Sequence, residues 1–84
     1  MAVKRRTIGV IGLGNFGSTV ATELQRFGNY VIGVDLNDQR VSNHVEKLSQ
    51  AVIVDARDDA ALREAGLGDC SMALVAMGSD LESS

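Results

Sequence analysis

A continuous apolar segment, Thr7–Ile11, runs straight into glycines at Gly12, Gly14 and Gly17. That spacing, Gly-x-Gly-x-x-Gly behind an apolar run, constrains the fold more than any other feature of the chain. Gly12 permits a tight turn out of a strand. Gly14 lets backbone approach a pyrophosphate with no side chain in the way, and Gly17 lets the following helix lie close to the strand. A helix opening at Asn15 turns unpaired N–H groups and the positive end of its dipole toward the same point. A second apolar run, Tyr30–Val34, ends at Asp35, where a carboxylate can accept hydrogen bonds from both hydroxyls of a ribose. Strand, glycines, amphipathic helix, strand and acid in this order point to a nucleotide. The competing reading is a glycine-rich turn with Asp35 as a turn former.

Beyond Asn15 the hydrophobic period becomes helical. Phe16, Val20, Leu24 and Phe27 share a face and are expected to pack on a sheet. Gly28 offers a left-handed stop. Asn37 or Asp38 can cap a second helix whose apolar stripe is Val41, Val45 and Leu48. Ala51–Val54 reads as a third strand ended by Asp55. Asp58 or Asp59 opens a short third helix that buries Leu62 and Ala65 and stops at Gly66 or Gly68, and Ser71–Ala76 is a fourth strand. Right-handed crossovers then predict an α/β, Rossmann-like three-layer fold, its parallel sheet in the order 3-2-1-4. Gly12–Gly17, Asp35, Asp55 and Met77–Asp80 all follow strand ends and converge on one crevice. Asp80–Ser84 reads as the first turn of a further helix, so residues 1–84 are expected to form one nucleotide-binding domain that is incomplete at its C-terminus.

Composition excludes several classes of function. The chain has 84 residues, a net charge of −3 and no Trp, which gives one small globular domain without the basic footprint or stacking aromatics of a nucleic-acid binder. Lys4-Arg5-Arg6 reads as a solvated tail. Cys70 is alone, so no internal disulfide or Cys-pair metal site can form, and it reads as a small apolar residue. No apolar run reaches the roughly 20 residues of a membrane span, and a cytoplasmic location is expected. His44 and Lys47 belong to the second helix, and Tyr30 opens a strand on the side away from the crevice. Only aspartates follow strand ends as titratable groups, so the pattern favours binding over acid–base catalysis.

The turn Val10-Ile11-Gly12-Leu13-Gly14-Asn15-Phe16-Gly17, Val34-Asp35, Val54-Asp55-Ala56, the helix exit Ala65-Gly66-Leu67 and Val75-Ala76-Met77-Gly78 followed by Ser79-Asp80 together resemble the regulator-of-potassium-conductance N-terminal family, also called the TrkA-N or KTN domain. The resemblance covers the chain from Thr7 onward. It implies a ligand sensor that is not an enzyme: a cytosolic subunit of a Trk- or Ktr-type potassium uptake system that binds NAD(H), ATP or ADP and gates a membrane pore. It further implies homo-oligomers, dimers assembling into a ring, held at the inner face of the membrane by an integral potassium transporter subunit. By position, Gly12, Gly14 and Gly17 approach the phosphates, with backbone donors from Asn15 and Phe16. Asp35 holds the ribose, Asp55 and Ala56 border the adenine, and Met77, Gly78 and Ser79 close the crevice. The charge of Asp35 disfavours NADP. One departure stands out: Ktr-type members often carry Arg at the position of Asn15, which leaves NAD(H), ADP and AMP all open. The alternative is the cofactor-binding half of an NAD-dependent dehydrogenase of the 6-phosphogluconate or 3-hydroxyisobutyrate type, which shares the glycine turn.

Overall fold

The switch from strand to helix to strand is reproduced in the computed structural model, which describes residues 6–76. In chain order the elements are β1 (Thr7–Ile11), α1 (Asn15–Arg26), β2 (Tyr30–Asp35), α2 (Asp38–His44), β3 (Gln50–Ile53), α3 (Asp59–Glu64), a 3-10 turn (Leu67–Asp69) and β4 (Met72–Val75). The strands form one sheet in the order β3-β2-β1-β4, and every pairing is parallel. β1 is central, with Ile11 opposite Val34 on one side and Val75 on the other. The carboxyl ends of β1, β2 and β4 therefore finish level at one edge of the sheet.

Alternating side chains feed two cores, as a sheet covered on both faces requires. Ile8, Val10 and Val31 pack with Ala21 of α1 and Val41 of α2. Ile11, Ile32 and Val34 pack on the opposite face with Ala65, which follows α3. Val10, Val31 and Val34 are completely buried, and each contributes on the order of 1.5–3 kcal/mol of transfer free energy. Gly33 makes this packing possible at the centre of β2. A Cβ there would lie 2.7 Å from a methyl of Leu48 and 3.0 Å from one of Leu13.

The structure corrects the expected face of α1. Its buried residues are Gly17 and Ala21, with Leu24 packed alongside, whereas Phe16 and Phe27 are 66% and 80% exposed. The cause is distance. Close seating of the helix on β1 demands small residues one turn apart on the contact line, and the aromatics are displaced to its flank. In α2 the helix stops at His44, so Val45 is exposed, while Leu48 reaches the core from the turn that follows. β3 begins one residue earlier than expected, and Val54 stays buried just past its end. The 3-10 turn was not legible in the hydrophobic pattern. Gly28 has φ of 94° and Gly66 of 104°, the left-handed geometry expected where α1 and α3 stop.

Candidate functional site

The three glycines of the turn are not equivalent. Gly12 has φ of 103°, a conformation that favours glycine, and its N–H donates to the Val34 carbonyl at 2.8 Å. A Cβ on Gly17 would lie 1.8 Å from the Gly12 carbonyl oxygen, so the helix could not seat. The chain itself requires both. Gly14 is different: with φ of −71° and ψ of −165° it adopts a conformation open to any residue. A Cβ there would meet only the Arg40 guanidinium, at 3.7 Å, an ordinary contact. Nothing in the packing demands a glycine at this position. Its missing side chain leaves clear space at the mouth of α1.

That mouth is also chemically unfilled. Asn37 caps α2 by accepting from the Arg40 N–H, and Asp58 caps α3 by accepting from the Ala61 N–H. α1 begins at Gly14 with no side-chain cap and no acidic residue in its first turn. Its leading N–H groups therefore keep their capacity to bind an anion.

Asp35, at the end of β2, is tied into the same turn. Its Oδ2 accepts from the Leu13 N–H at 2.7 Å, and its Oδ1 accepts from the Asn37 N–H at 2.8 Å. Arg40 approaches Oδ2 to 3.6 Å, and the carboxylate side chain is only 9% exposed. A carboxylate offers about four lone-pair sites, so acceptor capacity remains for hydroxyls arriving from the cleft.

Asp55, after β3, is arranged otherwise. Arg57 donates its Nε to Oδ1 at 3.1 Å, its Nη2 to Oδ2 at 3.0 Å and its backbone N–H to Oδ1 at 2.9 Å. These side-chain and backbone hydrogen bonds hold the Asp55 carboxyl below the usual carboxylate range, and Asp55 in turn raises Arg57. The pair is open to solvent, with Arg57 86% exposed, and exposed pairs of this kind add little stability.

Between these groups lies a cleft of about 300 Å³, at the lower end for a small-molecule site. Ile11, Gly12 and Gly14 line it from the end of β1 and the turn, Val34–Leu36 from the end of β2, Arg40 from α2, Val54–Arg57 from the loop after β3 and Ala76 from beyond β4. It opens where the strand order reverses, the usual ligand position in such sheets. Of the residues singled out in the sequence, Gly12, Gly14, Asp35, Asp55 and Ala56 line it. Gly17 supports the turn from behind. Asn15 and Phe16 border an adjoining depression between α1 and α2, together with Arg40 and His44. Met77, Gly78 and Ser79 lie outside the described residues. The sequence reading missed Arg40. Its available signal was the Asn37 cap, which fixes the start of α2 and so carries a cation at the first turn back over Asp35.

Among the described residues no group of three or more His, Cys, Asp or Glu could hold a metal ion, and no helix is long and apolar enough to cross a membrane. Cys70 packs with the α3-side core, where burial, aided by the Asp69 charge, pushes its thiol up. It packs there as a small, partly buried apolar residue, as its sequence context suggests.

Sheet order, glycine turn and strand-terminal carboxylate define a Rossmann-type domain, with four parallel strands among the described residues. More narrowly, the chain belongs to the TrkA-N domain family, whose profile matches residues 8–84. It is similar to Ktr system potassium uptake protein A of Bacillus subtilis (strain 168), 33% identical over 82 residues, and to that of Vibrio alginolyticus, 39% identical over 75 residues. These alignments cover 98% and 89% of this chain, but 37% and 34% of the relatives. Ktr system potassium uptake protein C of Bacillus subtilis (strain 168) is 31% identical over 80 residues, 95% of this chain and 36% of the relative. The chain thus spans about a third of the length of these curated relatives.

Proposed function

We propose that this domain is the nucleotide sensor of a potassium uptake system, binding NAD(H) or an adenine nucleotide such as ATP or ADP in the cleft beside Gly14. The observation that carries the reading is Gly14 itself: the fold has no need of a glycine there, whereas a bound pyrophosphate does. The phosphates meet the uncapped first turn of α1, through the backbone of Asn15 and Phe16. The ribose hydroxyls meet Asp35, and the base lies toward Asp55 and Ala56. Met77, Gly78 and Ser79 are the residues assigned to the β4 side of the cleft. NADP is disfavoured, because Asp35 is pinned by two backbone N–H groups and cannot swing away from a 2′-phosphate.

The names of the Ktr relatives supply the process. In it the chain acts as a non-enzymatic regulatory subunit, a homo-oligomer, dimeric and assembled into a ring, at the cytoplasmic face of an integral membrane potassium transporter. Nucleotide binding favours one arrangement of the domains, and the partner's pore responds to that arrangement. The test is thermal unfolding of the full chain with NADH, NAD, NADPH, ATP, ADP and AMP. A ligand at about 100 times its Kd adds roughly 2.7 kcal/mol, a shift of several degrees in a domain of this size. Stabilisation by NAD(H) or adenine nucleotides and not by NADPH is expected. A folded sample that responds to none of them would overturn the proposal.

A further inference from the structure

Two arginines line the cleft, and their commitments differ. Arg57 spends two side-chain donors on Asp55 in a bidentate pair. Arg40 makes only a 3.6 Å contact with Asp35, too long for a hydrogen bond, and among the described residues its guanidinium donates to no other group. It is half exposed. It also lies against the open side of Gly14, 3.7 Å from where a Cβ would stand. Arg40 borders both the cleft and the depression beside the first turn of α1. It is thus an uncommitted cation standing between the carboxylate proposed for the ribose and the turn proposed for the phosphates.

The geometry points to Arg40 as the residue that selects ligands by phosphate charge. This rests on the proposed nucleotide reading of the cleft and adds to it a specificity determinant. In the empty cleft Arg40 shields Asp35 through their loose pair. When a ribose occupies Asp35, the guanidinium turns its planar fork to the phosphate oxygens lying over Gly14. Its contribution therefore depends on the number of phosphates. Adenosine gains nothing from Arg40, AMP gains little, and ADP and ATP gain most.

The experiment measures the affinities of adenosine, AMP, ADP, ATP, NADH and NADPH for the full chain and its Arg40→Ala and Arg40→Gln variants. Thermal unfolding of each unliganded variant verifies the fold. Both variants are expected to lose about tenfold or more in affinity for ADP and ATP, as for a charge-assisted contact, and to keep adenosine within about twofold. Arg40→Lys restores part of the loss through its point charge. An equal loss for all ligands, adenosine included, would overturn the inference, because Arg40 would then act by positioning Asp35. Unchanged affinities would overturn it as well, and so would a loss confined to NADPH, which would make Arg40 a 2′-phosphate contact. If the unsubstituted chain bound none of these ligands, the nucleotide reading itself would fall, an outcome distinct from the other three.

Discussion

Asp35 ends β2, Asp55 follows β3 by two residues, and both line one cleft, yet the molecule uses them differently. Asp35 is nearly buried, and its oxygens fasten the glycine turn and the approach to α2 from within. Its pairing with Arg40 is loose. Asp55 faces solvent and is neutralised at close range by an arginine two residues away. The first carboxylate is part of the frame and retains acceptor capacity toward the cleft. The second is satisfied by its own loop. A strand-terminal acid in sequence therefore does not define a ligand contact; its hydrogen-bond partners do.

The largest test of this contrast replaces each acid in turn. Asp35→Ala strands the part-buried Leu13 N–H and frees the turn, and is expected to cost about 2–3 kcal/mol of stability. It should also abolish stabilisation by every adenosine ligand in a thermal unfolding assay. Asp55→Ala should leave the melting temperature within the scatter of the measurement and weaken binding only slightly. Equal effects of the two substitutions, on either readout, would erase the distinction.

The smallest expected effect is a pH dependence. Arg57 depresses the Asp55 carboxyl, so the pair's contribution is fully present above the unfolded carboxylate value and is lost as pH falls through the lower folded one. Asp55→Asn should therefore lower stability slightly above about pH 4, and its profile should converge on that of the original chain as pH falls below that value. A difference that persists in acid, once the carboxyl is protonated, would mean that Asp55 carries structural weight beyond its charge.

Much of the architecture was legible because the changes of hydrophobic period coincide with residues of fixed backbone meaning. Gly12, Gly28 and Gly66 all take positive φ, and Asn37 and Asp58 are the caps that the sequence offered. Phe16 and Phe27 were misread because periodicity reports which residues share a helix face, not how near that face lies to the sheet. The 1.8 Å clearance at Gly17 decides that, and it admits Ala21 rather than an aromatic. Gly12, Gly14, Asp35, Asp55 and Ala56 were brought together as strand ends must be in a parallel sheet. Arg40 escaped notice because it belongs to a helix and enters the site through the geometry of the α2 cap. The Asp55–Arg57 pairing was equally hidden, since a two-residue loop contact leaves no trace in hydrophobic pattern.

The central claim, that the gap at Gly14 exists for a phosphate and not for the fold, is tested most directly by calorimetric titration of ADP into the full chain and its Gly14→Ala variant. The account predicts a folded variant. Its stability changes by no more than about 1 kcal/mol, since the loss of a glycine cap is offset by reduced unfolded-state entropy. Its affinity for ADP falls at least about tenfold, roughly 1.4 kcal/mol. A Gly14→Ala variant that binds ADP as tightly as the original chain would contradict the account, because the open space would then serve no ligand.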